Sequence, residues 1–173
     1  DLDKPFLEQF GKYIWGIVSQ GDFGISYKTG KNVTSALLER FPTTFVLAIA
    51  TCVIAMVLGV LLGILAANHQ GTWIDSVLRV FGMAGVSMPI FWLGLLMILW
   101  FAVDLKWFPV SGWYGPKYLV LPALTMGLTF TASLMRTTRS SMLDCIRQDY
   151  VITARAKGQK ERVITYHHVF RNA

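Results

Sequence analysis

The chain has 173 residues, of which 54% are hydrophobic and only 15% charged, with a net charge of +6. Ordinary soluble domains are about one quarter charged, and here the apolar residues come in long blocks rather than in alternation. Those figures exclude disorder, a collagen-like repeat and a disulfide-built secreted scaffold, and they leave a membrane protein.

Residues 1–40 are electrically balanced, with Lys4, Lys12, Lys28, Lys31 and Arg40 against Asp1, Asp3, Glu8, Asp22 and Glu39. Gly11, Gly16, Gly21, Gly24 and Gly30 divide the segment into short helices and turns. Phe6, Phe10, Tyr13 and Trp15 recur at helical spacing and mark an amphipathic stretch, expected to pack on its neighbours rather than lie on a membrane surface. The run from Gly24 to Asn32 looks like a phosphate-binding loop. A Walker A motif, however, needs four residues between its glycines and a Ser or Thr after the lysine. Here five intervene and Asn32 follows Lys31, so the run reads as a glycine-punctuated turn. No ATP hydrolysis is expected of this chain.

Residues 43–67 carry no charge, and 25 residues at about 1.5 Å each exceed the roughly 30 Å of a hydrocarbon core. This is the first expected span, with Pro42 at its start, where a missing N–H costs nothing. Thr51, Ala55, Gly59, Gly63 and Ala67 form a stripe of small side chains along it, suited to close approach of another helix. The second expected span, 80–103, holds Gly82, Gly85, Ser87 and Pro89, and a kink is expected near Ser87-Met88-Pro89. The third, 119–135, is short and carries Pro122, Thr125, Thr129, Thr131 and Ser133, which favours burial among other helices.

Residues 136–173 hold eight basic residues against three acidic ones, a net of +5, and the positive-inside rule assigns them to the cytoplasm. Three spans then put 1–42 and 104–118 outside, where Trp100, Trp107, Trp113, Tyr114 and Tyr118 would form an aromatic belt. None of the three runs contains Asp, Glu, Lys, Arg or His, which argues against a proton-coupled carrier. Cys52 and Cys145 have no metal-site or disulfide spacing, and His167-His168 suits no helical metal pair. Neither a metal, nor a cofactor, nor a catalytic constellation is expected.

From Ser140 to Phe170 apolar residues recur at helical intervals, interrupted at Gly158, so two short amphipathic helices are expected to meet at that turn. Such a pair fits a partner's groove or a bed of anionic lipid equally well. The chain opens without a methionine or a basic leader and stops within this patterned segment, and it reads as an internal fragment of a longer protein.

The run Asp149-Tyr150-Val151-Ile152-Thr153-Ala154-Arg155-Ala156-Lys157-Gly158 resembles the EAA loop of permease subunits of bacterial ABC importers, in the dipeptide/oligopeptide/nickel subfamily. Glu161-Arg162-Val163, His168-Val169-Phe170-Arg171-Asn172-Ala173 and the block Leu121-Pro122-Ala123-Leu124-Thr125-Met126-Gly127-Leu128 are similar to it as well. So are Arg136-Thr137-Thr138-Arg139-Ser140-Ser141-Met142, Pro89-Ile90-Phe91-Trp92-Leu93-Gly94, Gly21-Asp22-Phe23-Gly24 and Glu39-Arg40-Phe41-Pro42-Thr43-Thr44. Two departures stand out: Ile152-Thr153-Ala154 where the general consensus has Glu-Ala-Ala, and Arg171 where it has proline.

The resemblance implies an all-α polytopic helical bundle of the type I, MetI-like permease fold, with three of about six spans in this chain. It implies a non-catalytic subunit of the bacterial inner membrane that forms half of a solute pathway with a homologous second permease. Two cytoplasmic ATPases would power it, and an extracytoplasmic binding protein would deliver a di- or oligopeptide or a related solute. Tyr150, Ala154, Ala156 and Gly158 would meet the ATPase, with Arg155 and Lys157 on the rim. Ala55, Gly59, Gly63 and Pro89 would serve bundle packing. A secondary carrier or channel, and a scaffold that binds lipid through its basic segment, are the alternative readings.

Overall fold

The computed structural model describes residues 5–173 and divides into two compact units, Asp1–Val46 and Leu47–Ala173. The charges at Asp1, Asp3 and Lys4 lie outside the described residues. In the first unit, α1 (Phe6–Gln20) ends at Gly21, whose φ of 63° lets the chain turn left-handed. The Gly21 N–H donates to Ile17 O, the bond of an αL C-cap, and the Asp22 N–H reaches back to Gly16 O. None of the α1 residues is buried, and Phe6 and Phe10 stack on one another with ring centroids 6.2 Å apart. The Gly24–Asn32 run is a small closed turn, held by an antiparallel bridge between Ile25 and Asn32 and by the Ser26 N–H donating to Lys31 O at 2.9 Å. Asn32 then caps α2 (Val33–Asn68), its Oδ1 accepting the Ser35 N–H at 3.2 Å.

Helix α2 begins ten residues before the charge-free run, and Pro42 lies inside it rather than at its start. The capping by Asn32 sets that early start, and one proline without an N–H removes only one bond from a long helix. Beyond a loop at 69–72, α3 (Trp73–Ser87) and α4 (Ile90–Met97) follow, and a π-helical stretch, Ile98–Asp104, continues α4. The expected kink is in place but far sharper than a kinked span: α3 and α4 with its continuation meet at 102°. Pro89 has no N–H to continue α3, and its carbonyl instead starts α4 by accepting the N–H groups of Trp92 and Leu93.

Helix α5 (Pro116–Ile146) has proline at its first turn and runs on past residue 135, so the segment expected to be a separate cytoplasmic piece begins as part of the same rod. A second break, at Arg147-Gln148, precedes α6 (Asp149–Ala156). After Gly158 the chain is helical again as α7 (Glu161–Val163), then π-helical over Ile164–Val169 and 3-10 over Phe170–Asn172.

Small residues set how these helices meet. A Cβ on Gly59 would lie 2.9 Å from Leu134 Cβ, and one on Gly63 would lie 2.6 Å from Thr138 Cβ and 2.9 Å from the Met135 carbonyl oxygen. From the other side, a Cβ on Gly127 would lie 2.7 Å from Ile54 Cγ2. The order Ile54–Gly127, Gly59–Leu134, Gly63–Thr138 rises along both helices, so α2 and α5 run parallel. Gly85 offers the same close approach to α3, where a Cβ would meet Ala132 Cβ at 2.8 Å. With packing this tight, van der Waals contact does the work that a hydrophobic drive cannot do in lipid. The main buried cluster joins Ile64 and Ala67 of α2, Met142 and Leu143 of α5, Val151 and Ala154 of α6, and Ile164 and Val169 beyond Gly158.

Candidate functional site

The segment after α5 is built outward from that cluster. Val151 is fully buried and Ala154 nearly so, which pins one face of α6 against the chain's own core. Half of the periodicity that suggested a docking face is therefore used internally. Ala154 in particular faces inward, since residues three apart share a helix face and Val151 is its partner there. Tyr150, Ile152, Arg155, Ala156 and Lys157 are exposed. Asp149 in the first turn and Arg155 in the last both suit the helix dipole.

Gly158 takes φ +74°, and its N–H donates to Arg155 O at 2.9 Å while the Gln159 N–H donates to Ala154 O. Nothing lies within 4 Å of where its Cβ would be, so the requirement for glycine is purely conformational. The turn is clasped from outside. Arg155 Nε donates to Glu161 Oε1 at 2.8 Å and its second guanidinium nitrogen to Oε2 at 3.2 Å. The Arg155 guanidinium holds the Glu161 carboxyl below the usual carboxylate range, and the carboxylate in turn raises the arginine. His168 pairs with Gln159 Oε1 at 2.8 Å, and Asn172 donates to His168 O, which ties the last turns to the same loop.

Of the residues expected to serve helix packing, Ala55, Gly59 and Gly63 lie in the buried stripe of α2. Pro89 is different: it is exposed and serves as the cap of α4 at the bend. Sequence reasoning passed over Asp75. It is a fully buried member of α3 that pairs with Arg139 of α5 at 2.7 and 2.8 Å. The charge-free runs are thus shorter than the helices that contain them. The signal available was an acidic residue five positions ahead of an apolar run, with unmatched arginines at 136 and 139. Among the described residues, no group of three His, Cys, Asp or Glu side chains comes together that could hold a metal ion.

Residues 59–173 match the family of binding-protein-dependent transport system inner membrane components. The chain belongs to this family. Over 181 residues it is 37% identical to a protein of Brucella abortus (strain 2308) named as a peptide transport system permease, covering 99% of this chain and 57% of that one. It is 39% identical over 172 residues to the glutathione transport system permease protein of Escherichia coli (strain K12), covering 99% of this chain and 56% of the relative. The chain thus spans a little over half the length of these curated relatives. The family membership bears out the resemblance read from the Asp149–Gly158 run and its flanking blocks, and with it the all-helical, MetI-like membrane fold. In keeping with an inner-membrane transport component, two helices among the described residues, α2 and α5, are each long and apolar enough to cross a bilayer, and the bent pair supplies a third if it counts as one span.

Proposed function

We propose that this chain is the permease subunit of an ATP-driven importer. It would form half of the solute pathway with a homologous second permease and couple to two cytoplasmic ATPases through α6 and the Gly158 turn. The carrying observation is that the family match runs through residue 173 and includes a short helix fixed by its own core on one side and exposed on the other. A helix seated this way transmits a push as a rigid body, which is what coupling to ATPase closure requires. Tyr150, Arg155, Ala156 and Lys157 present the contact, Gly158 sets its angle, and Ala154 anchors it from within. An extracytoplasmic binding protein delivers the solute, and the names of the relatives support a small peptide or a related compound. ATP is hydrolysed by the partners and not by this chain.

Residues 136–173 face the cytoplasm and 104–118 the exterior, in keeping with the net charge of +5 on the former. The parallel course of α2 and α5 supports three crossings, because two parallel spans need an odd number of crossings between them and the bent pair is the only candidate among the described residues. The lipid-scaffold reading loses part of its apolar face: Val151, Ala154, Ile164 and Val169 are in the chain's own core, while Tyr150, Val163, Tyr166 and Phe170 stay exposed.

The test is capture of ATPase subunits by the full-length protein, comparing wild type with Gly158→Pro. Proline can adopt neither φ +74° nor the bond to Arg155 O, so specific binding that this variant abolishes supports the coupling role. Equal binding by both proteins overturns it. Elution of the variant at the wild-type volume in detergent guards against simple unfolding.

A further inference from the structure

The coupling geometry makes no use of the ion pair between Asp75 and Arg139. Asp75 sits in the first turn of α3 with 1% of its side chain exposed. Its Oδ1 accepts from Arg139 Nε at 2.7 Å, while Oδ2 accepts from a terminal guanidinium nitrogen at 2.8 Å and from the Gly71 N–H at 3.1 Å. Arg79, one turn on, approaches Oδ1 only to 3.7 Å and is half exposed. One carboxylate therefore fixes three things together: the loop before α3, the start of α3, and α5.

Taking charges out of water is costly, and replacing such a pair by apolar side chains of like volume is often neutral or stabilising. Stability alone is a poor account of this pair. What the forked, two-bond contact supplies is a fixed distance and a fixed rotation between two helices. Its place in the chain gives that a use. Arg139 lies one turn before Met142, which packs with Val151 and Ala154 of α6, and α3 runs from Asp75 to the bend at Met88-Pro89.

We propose that Asp75 and Arg139 form a transmission clamp: when a bound ATPase displaces α6 and the adjoining end of α5, the pair makes α3 follow, and the movement reaches the bend. Both are positioning residues. The proposal rests on the permease reading. Helix α5 also packs closely on α3 through Ala132 against Gly85 and Met135 against Gly82, which holds the two helices together; the bidentate pair adds a fixed direction between them at the cytoplasmic end.

The experiment uses the full-length protein assembled with its partner permease and ATPases, with Cys52 and Cys145 replaced and Met88→Cys as a reporter for a thiol reagent. The labelling rate is measured with and without a non-hydrolysable ATP analogue. The clamp predicts a nucleotide-dependent change in wild type that Asp75→Asn and Arg139→Gln each reduce by about fivefold or more. ATP hydrolysis should stay within about twofold, and the double variant should be no worse than either single one. Asp75→Leu with Arg139→Met, which preserves packing without the fork, is expected to assemble normally and to lose the change as well. Survival of the change in the single variants, or hydrolysis falling in step with it, overturns the clamp. A wild type that binds ATPases and hydrolyses ATP with no change at Met88→Cys also overturns the clamp alone. A wild type that captures no ATPase overturns the permease reading and the clamp together.

Discussion

Gly158 and the Arg155–Glu161 pair divide the work of shaping one turn. The glycine permits a left-handed backbone, which costs other L-residues about 1–2 kcal/mol, and open space around it means no side chain is excluded by contact. Gly158→Ala is therefore expected to destabilise the turn by about that amount, and Gly158→Asn by less, since Asn tolerates the left-handed region. Amide exchange across 149–164 would read both. The ion pair is exposed and should contribute about 0.2–1 kcal/mol despite its two bonds. Because the folded-state carboxyl of Glu161 titrates below its unfolded value, its contribution is complete above the ordinary carboxylate range and disappears as pH falls through the lowered value. Glu161→Gln should thus loosen the turn slightly and uniformly between about pH 8 and 6, with the difference from wild type closing below about pH 4. A difference that grows on acidification would contradict the pairing.

The α2–α5 crossing depends on two glycines that are not equivalent. At Gly59 an added Cβ meets Leu134 alone, 2.9 Å from its Cβ; at Gly63 it comes within 2.6 Å of Thr138 Cβ and also within 2.9 Å of the Met135 carbonyl oxygen, so two neighbours must give way. Gly63→Ala is expected to cost about 1–3 kcal/mol by overpacking, and Gly59→Ala distinctly less. Midpoints of unfolding in detergent would rank them, and equal midpoints would show that the close approach is not strained. Much of this was legible: the small-residue stripe announces a close crossing, and the charge-free runs announce spans. Which helix fills the stripe was not legible, because Thr138 and Leu134 carry no mark of the contact they make. The bend was placed correctly at Ser87-Met88-Pro89, but nothing in the sequence marks its angle of 102°.

For the whole molecule, topology follows from charge and is confirmed or lost by accessibility. With the native cysteines replaced, Trp113→Cys should react with an impermeant thiol reagent in intact cells, and His167→Cys only after the membrane is opened. The reverse pattern would invert the protein and remove the ATPase from the proposed site. At this scale the sequence misled in one respect. Treating loops as the places where charges live hid Asp75 and Arg139, which lie within helices and satisfy one another across 64 residues of chain. An amphipathic pattern likewise cannot say whether its apolar face meets another protein or its own core, and here Val151 and Ala154 answer to the core.

The parallel crossing of α2 and α5 also orders how the protein can be made. Gly59 and Leu134 are 75 residues apart, so at about 5–20 residues per second the ribosome delivers the second surface roughly 4–15 s after the first. Helix α2 is made before the helix that covers its glycine face, and its long uncharged run suits it to insert early. Helix α5, whose buried Thr125 and Thr131 lie in a less apolar stretch, arrives with that surface already waiting. Helix α2 thus offers a preformed packing surface to α5 as it is made. A charge placed on the lipid-facing side of α2 should reduce the yield of correctly inserted α5 before it affects any property of the finished protein.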